Sequence, residues 1–81
     1  MYYAYILEST TKPGTLYRGH TQDLTARLAD HNAGRCDATR ALRPWKIKFY
    51  AAFETLELAR DFERYLKSGS GHAFAKKRLL G

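Results

Sequence analysis

The fold of the chain is predicted most directly from the stretch Leu16–Asn32, which reads Leu-Tyr-Arg-Gly-His-Thr-Gln-Asp-Leu-Thr-Ala-Arg-Leu-Ala-Asp-His-Asn. Its pattern predicts a short strand, a glycine turn and a capped amphipathic helix. If Leu24 marks the centre of the apolar stripe, Arg27 and His31 fall on the same side as Leu28, at about 100° per residue. A cation and an imidazole are costly to bury unless they are paired or used. The pattern therefore marks both as candidate functional residues.

Composition predicts one small folded domain spanning residues 1–81, because 44% of the chain is hydrophobic and 14% is aromatic. No run approaches the ~20 apolar residues of a membrane span, and the N-terminus lacks the basic and apolar regions of a signal peptide. The one cysteine, Cys36, excludes an intrachain disulfide and a cysteine-rich zinc site. We expect a cytoplasmic protein without a membrane partner.

The charge balance points to a polyanionic partner. Fourteen Lys and Arg against eight Asp and Glu give a net charge of +6. Nucleic acid is the commonest partner of such a basic domain. The alternative is a solvated surface that happens to be basic. The basic residues gather in two segments, 35–48 and 76–78.

Alternating patterns predict three strands. Tyr2–Leu7 is largely apolar on both sides, as in a strand that is covered on each face. Thr15–Gly19 pairs with it antiparallel through a turn at Pro13-Gly14. Trp45–Phe53 provides the third strand.

The remaining segments predict helices and loops. Thr21 is the expected N-cap of the first helix, and Gly34 is expected to end it. Thr55 is expected to cap a second helix that runs to about Ser68. The other expectations are a basic loop over Arg35–Pro44, a break at Gly69–Gly71 and a short basic helix over His72–Leu80. The fold class is therefore α+β, a three-stranded, mainly antiparallel sheet flanked by helices in the order β-β-α-β-α-α.

The second helix places another charge among apolar residues. Its stripe is Ala59, Phe62 and Leu66, and Glu63 lies inside the same arc. If both helices pack on the sheet, five polar side chains converge on one shallow surface. These are Tyr5, Tyr17, Arg27, His31 and Glu63.

Structural roles for these five residues remain open alternatives. Tyr5 and Tyr17 are also suited to the core or to a strand edge. His31 is also suited to capping a helix C-terminus. Arg27 and Glu63 together could form one structural ion pair.

The ordered set of motifs resembles the GIY-YIG nuclease superfamily, in particular its small single-domain bacterial members. Tyr3-Ala4-Tyr5 corresponds to the GIY element and Tyr17-Arg18-Gly19 to the YIG element. Arg27 and His31 follow at the family's interval, and Glu63 matches its metal-binding glutamate. The resemblance extends from Tyr2 to about Leu80. The sequence departs from the family pattern at three places. The Gly and Ile of GIY are replaced, and Arg18 stands at the apolar middle position of YIG. Many nuclease members also carry an Asn late in the domain, whereas the only Asn here is Asn32.

The resemblance implies hydrolysis of a phosphodiester with Mg²⁺ or Mn²⁺. Glu63 would hold the metal, and Arg27 would brace the charge on the phosphoryl oxygens. Tyr17 is the candidate for activating the attacking water, provided that nearby positive charge lowers its pKa, and Tyr5 would orient the water or the phosphate. His20 stands where some relatives carry an assisting Lys.

We therefore expect a structure-selective, divalent-metal-dependent DNA endonuclease. A partner protein could supply further substrate specificity. The expected nucleic-acid contacts are Arg18, His20, Arg35, Arg40, Arg43 and Lys46. Thr39 is expected to guide the backbone with them, and Trp45 either stacks on a base or belongs to the core. The alternative function is a non-catalytic nucleic-acid-binding module with the same fold; a basic protein–protein adaptor would leave Arg27, His31 and Glu63 unexplained.

Overall fold

A computed structural model describes residues 1–80 as three strands and four helices. The strands are β1 (Tyr2–Ser9), β2 (Leu16–Thr21) and β3 (Trp45–Phe53), and the helices are α1 (Leu24–Asn32), α2 (Asp37–Arg40), α3 (Leu56–Lys67) and α4 (Gly69–Arg78). The α+β class is confirmed. β3 has the predicted bounds, and β1 and β2 each end two residues later than alternation predicted.

The sheet has the order β2-β1-β3, and both pairs of strands are antiparallel. The predicted hairpin is confirmed, with Tyr5 opposite Gly19 and Leu7 opposite Tyr17. Because successive side chains on a strand point to opposite faces, Tyr5, Leu7, Tyr17 and Gly19 share one face. Ile6 lies on the other.

Each face of the central strand carries its own core, as the apolar pattern of β1 predicted. On one face, Tyr5, Leu7 and Trp45 are buried under α1 and the segment after it. On the other face, Ile6 and Leu66 are fully buried under α3 and α4. Consequently α1 and α3 lie on opposite faces of the sheet.

The start of α1 differs from the prediction, whereas its end agrees. The N-cap is Asp23, whose carboxylate accepts a hydrogen bond from the Ala26 N–H at 3.0 Å. Thr21 lies two residues earlier, and its hydroxyl oxygen accepts from the Asp23 N–H instead. Gly34 follows the helix with a φ of +80°, a conformation that suits glycine at this position.

The segment Arg35–Pro44 contains the short helix α2, which was not predicted. A helix of only four residues has too few turns to display an apolar period. Its Thr39 side chain is nevertheless 1% exposed, so the segment is anchored to the core.

Helix α3 begins as predicted, since the Thr55 hydroxyl accepts from the Leu58 N–H. The predicted break over Gly69–Gly71 is misplaced, because the chain turns at Ser68 and α4 begins at Gly69. The helix predicted over His72–Leu80 is confirmed in large part, since α4 runs to Arg78. The Ser68 hydroxyl oxygen accepts from the Gly71 N–H at 3.0 Å and so caps α4. Within residues 1–80, no helix has the length and apolar character that crossing a membrane requires.

Candidate active site

A buried hydrogen-bond network connects β1, α1 and α2. The imidazole of His31 is fully buried, and its Nε2 lies 3.0 Å from the Tyr5 hydroxyl. Its Nδ1 lies 2.7 Å from Oγ1 of Thr39. Both ring nitrogens of His31 are thus engaged, which is more than capping the end of α1 would require.

The two tyrosines surround this imidazole. The rings of Tyr17 and His31 pack edge to face with their centroids 5.0 Å apart. The Tyr5 hydroxyl lies against Gly19, where an added Cβ would stand 2.6 Å from the hydroxyl oxygen. Gly19 therefore leaves the space that the Tyr5 hydroxyl needs, which gives the glycine of the Tyr-x-Gly motif a steric reason.

Arg27 lies beside the tyrosines and is partly exposed. Its guanidinium is 3.9 Å from the Asp30 carboxylate, and its side chain is 36% exposed. Its interaction with Tyr5 raises the pKa of Arg27. The alternative in which Arg27 pairs with Glu63 is wrong, because Glu63 has other partners.

Burial decides the protonation of this cluster. It raises the pKa of Tyr5 to about 12, although the neighbouring Arg27 works in the opposite direction. Burial also raises the pKa of Tyr17, so the lowered value expected from the sequence is not found in the protein alone. Burial, followed by the charge of Arg27, lowers the pKa of His31. At neutral pH the cluster therefore holds two protonated phenols and a neutral imidazole.

Glu63 lies on the other face of the sheet, next to the edge strand β2. The His20 ring donates from Nδ1 to Oε1 of Glu63 at 2.5 Å, and the Lys67 ammonium lies 2.6 Å from Oε2. The carboxylate is only 15% exposed. Burial opposes its charged form, but the Lys67 and His20 contacts prevail and lower the pKa of Glu63.

The five predicted residues approach the edge strand β2 from its two sides. Tyr5, Tyr17, Arg27 and His31 are on the α1 side, and Glu63 is on the α3 side. They remain electrostatically coupled, because the charge of Glu63 contributes to raising the pKa of both Tyr5 and Tyr17. The strand edge carrying Gly19 and His20 is where the two parts approach each other.

A shallow groove of about 250 Å³ lies on the α3 side of this edge. Arg60, Arg64 and Lys67 project into it from successive turns of α3. His20 and Glu63 complete its lining. The groove thus surrounds a single carboxylate with basic groups.

Glu63 offers a single carboxylate to a hard divalent cation that keeps most of its water, and here His20 and Lys67 engage that carboxylate. Among residues 1–80, no group of three or more His, Cys, Asp or Glu side chains could enclose a metal. Mg²⁺ commonly binds through one or two carboxylates together with water and substrate phosphate, so a single glutamate suffices. Glu63 would be the protein ligand, and the contacts from His20 and Lys67 would rearrange when a cation binds.

The basic residues predicted to contact nucleic acid have varied surroundings. Arg35 and Arg40 donate to Asp30 and Asp37 respectively. Arg43 lies over Gly34, Lys46 faces Glu8, and Arg18 has a buried Nε without a partner among residues 1–80. Thr39 is buried and cannot guide a nucleic-acid backbone, and Trp45 is 5% exposed and belongs to the core.

Two contacts of the site were not expected from the sequence. Lys67 lies four residues after Glu63, the helical spacing of an ion pair, so this contact could have been found from the sequence. Thr39 was expected at a nucleic-acid backbone, and no pattern in its aperiodic segment indicates its contact with His31.

The raised pKa of Tyr5 predicts a loss of stability in alkali. Its protonated form stabilises the fold fully below its ordinary pKa of ~10, and this contribution falls as the pH rises toward about 12. We expect the difference in unfolding free energy between wild type and Tyr5→Phe to shrink by about 1 kcal/mol from pH 9 to pH 11. Urea unfolding at the two pH values measures it. Tyr50→Phe, at a site that is 55% exposed, is the control and should retain the wild-type pH dependence; a constant difference for Tyr5→Phe would contradict the prediction.

The sheet pairs Tyr5 with Gly19, and the helices α1 and α3 place Arg27, His31 and Glu63 on either side of its edge strand. Residues 1–77 match the family model of the GIY-YIG catalytic domain, and the chain belongs to this family of endonucleases. The suspected resemblance is confirmed.

Similar proteins are known in Streptococcus pyogenes. UPF0213 protein SpyM50708 of serotype M5 (strain Manfredo) is 42% identical over 66 residues, which are 80% of this chain and 70% of the relative. UPF0213 protein M28_Spy1146 of serotype M28 (strain MGAS6180) shows the same identity and coverage. Their names state no activity.

Proposed function

We propose that this protein is a divalent-metal-dependent endonuclease that hydrolyses phosphodiester bonds in DNA and selects its substrate by structure. The observation that carries the proposal is the hydrogen bond between the Tyr5 hydroxyl and the neutral His31, beside Arg27 and electrostatically coupled to Glu63. Side chains for proton transfer, for phosphate charge and for metal binding thus border one strand edge.

Tyr5 is the better placed tyrosine for activating the attacking water. Both phenols are protonated at neutral pH, so a phenol that takes a proton from water must pass its own proton on. Tyr5 has an acceptor 3.0 Å away in Nε2 of His31. Both nitrogens of His31 are engaged by Tyr5 and Thr39, so Tyr17 has no such route through this ring. We therefore reverse the roles expected from the sequence and give Tyr17 the orientation of the water.

The proton of the attacking water leaves through Tyr5 and His31 while one bond to phosphorus forms and another breaks. As the water oxygen bonds to phosphorus, its proton moves to the Tyr5 oxygen, and the Tyr5 proton moves to His31. The bond from phosphorus to the leaving oxygen breaks, and that oxygen keeps the electron pair and takes a proton from solvent water. Arg27, partly exposed beside Tyr5, stabilises the charge that develops on the phosphoryl oxygens.

Glu63 would hold a divalent cation, which would supply polarisation of the phosphate and stabilisation of the leaving oxygen. The protein's own part is to keep Glu63 charged, which the lowered pKa of this carboxyl achieves. Before a cation binds, Lys67 and His20 hold the Glu63 carboxylate in place.

The basic groove on α3 is the best candidate for contacting the DNA backbone. Arg60, Arg64 and Lys67 line the groove that contains Glu63. Arg64 and Lys67 are paired with Asp61 and Glu63, just as Arg35 and Arg40 are paired with aspartates, so the choice of this groove rests on its place around Glu63. Contacts with phosphates position the duplex but carry no sequence information. This agrees with selection by structure.

We expect the double variant Arg60→Gln/Arg64→Gln to bind DNA more weakly and to show a smaller dependence of the binding constant on salt concentration. Each phosphate contact contributes about 0.9 to the slope of log K against log salt, so the slope should fall by roughly 1–2. Fluorescence anisotropy with labelled duplex between low and moderate salt measures this slope. Lys12→Gln, in the exposed β1–β2 loop, is the matched control and should leave the slope almost unchanged. Equal slopes for the double variant and the control would refute the α3 interface.

The activity itself is tested with a panel of labelled substrates. Duplex, single-stranded, flapped and branched DNA, together with RNA, are incubated with the protein and Mg²⁺, Mn²⁺ or EDTA. Products that need metal and depend on substrate shape support the proposal. Binding without products on any substrate would contradict it.

A non-catalytic binding module is the second candidate. The observation that favours it is that both oxygens of Glu63 are engaged by His20 and Lys67, as in a structural ion pair. This candidate predicts salt-sensitive binding that is the same with and without metal. The substrate panel separates the two functions.

A further inference from the structure

Thr39 is a buried polar residue for which the proposed chemistry has so far given no role. It lies in the short helix α2 and is 1% exposed. Its Oγ1 is 2.7 Å from Nδ1 of His31, on the side of the ring opposite Tyr5. Thr39 therefore touches no substrate but contacts the residue that receives the Tyr5 proton.

Besides Nδ1 of His31 at 2.7 Å, the Thr39 hydroxyl has one longer contact with an acceptor. Oγ1 lies 3.4 Å from the carbonyl oxygen of Cys36, which can only accept. When Thr39 donates there, its oxygen remains as an acceptor facing His31. Nδ1 of the neutral imidazole must then carry the proton, and Nε2 is left as the acceptor for the Tyr5 hydroxyl.

The surrounding residues fix Thr39 firmly. The Trp45 indole donates from Nε1 to the Thr39 carbonyl oxygen at 2.8 Å. Asn32, at the end of α1, accepts from the Trp45 N–H at 2.6 Å and donates to the Trp45 carbonyl oxygen at 3.1 Å. These contacts hold α1, α2 and β3 in one arrangement and thereby fix the backbone of Thr39 next to His31.

We infer that Thr39 is a positioning residue that holds His31 in the Nδ1–H tautomer, so that Nε2 can take up the proton of Tyr5. In the reaction, the proton leaving Tyr5 bonds to Nε2, and the imidazolium keeps its Nδ1 proton on the Thr39 oxygen. The opposite tautomer has a proton on Nε2 and can accept none from Tyr5. The catalytic consequence rests on the proposed function, but the tautomer does not.

Nitrogen NMR of the imidazole rings tests the tautomer directly. Long-range ¹H–¹⁵N spectra of the ¹⁵N-labelled protein are recorded at a pH at which the His31 ring is neutral. The variants His20→Gln and His72→Gln identify the signals of the other two histidine rings. Wild type and Thr39→Ser should show a protonated Nδ1 and an unprotonated Nε2 on His31. Thr39→Val keeps the shape but removes the acceptor and should shift His31 toward the Nε2–H tautomer. A protonated Nε2 in wild type, or an unchanged His31 pattern in Thr39→Val, would overturn the inference.

Cleavage kinetics test the consequence for the reaction. Thr39→Val should lower kcat by about a hundredfold with little change in KM, and Thr39→Ser should restore most of it. Equal losses in both variants would overturn the positioning role. Because the NMR spectra need neither DNA nor metal, a wild-type protein without cleavage activity would contradict the proposed function while the tautomer remains tested. The wild-type spectrum and Thr39→Ser also decide the tautomer if Thr39→Val does not fold.

Discussion

Replacing Glu63 with Gln should abolish metal-dependent cleavage while leaving DNA binding nearly intact. Gln has the same size and can keep hydrogen bonds in the groove, but it loses the charge that a divalent cation needs. Charge stabilisation by a catalytic metal contributes several kcal/mol, and each ~1.36 kcal/mol changes the rate tenfold. We therefore expect the single-turnover cleavage rate to fall by about a thousandfold or more. Binding rests on the basic residues, so the affinity should change little.

The matched control for this variant is Glu57→Gln on the same helix. Glu57 lies in the first turn of α3, is exposed and does not line the groove. It should retain wild-type cleavage, and its parallel purification excludes a contaminating nuclease. Cleavage by Glu63→Gln at the rate of Glu57→Gln would show that the metal is not held where we propose.

Replacing Gly71 with Ala should strongly destabilise the fold. A Cβ at this position would collide with the carbonyl group of Tyr65, which belongs to the backbone of α3. The Ser68 hydroxyl also donates to that carbonyl at 2.6 Å, so the turn between α3 and α4 has no room to open without losing this contact. Overpacking of this kind costs about 1–3 kcal/mol, and a collision with backbone lies at the upper end. Thermal unfolding followed by circular dichroism measures the loss.

Gly69→Ala is the matched control for Gly71→Ala. An added Cβ at Gly69 has no atom within 4 Å, and the residue lies in the same first turn of α4. Its stability should be unchanged or slightly raised, since Ala is the better helix former. Equal stability of the two variants would contradict the tight packing of α4 on α3.

The strands and α3 were predictable because their patterns are long enough to be periodic. β3 alternates over nine residues, and its predicted bounds agree with the structure. The glycine break after α3 was misplaced for a packing reason. A Gly-Ser-Gly segment favours a turn by local preference, but Ser68 caps a helix there, and the missing side chain of Gly71 lets that helix approach α3.

The sequence marks candidate site residues, but it does not predict on which side of the sheet each of them lies. Apolar stripes mark Arg27, His31 and Glu63 as unusual without saying which face of the sheet each helix covers. In the structure, α1 and α3 cover opposite faces, and the site spans the edge strand between them. The burial that raises the pKa of Tyr17 is a tertiary property in the same way. The roles of the two tyrosines therefore had to be reconsidered once the contacts of His31 were known.

The measurement that tests the central claim most directly is the binding of Mn²⁺ at Glu63. Electron paramagnetic resonance can count free Mn²⁺ in the presence of wild type, Glu63→Gln and Glu57→Gln, each with an uncleavable phosphorothioate duplex. We expect wild type and Glu57→Gln to take up Mn²⁺ and Glu63→Gln to take up far less. Equal uptake by all three proteins would contradict the proposal that Glu63 holds the catalytic metal.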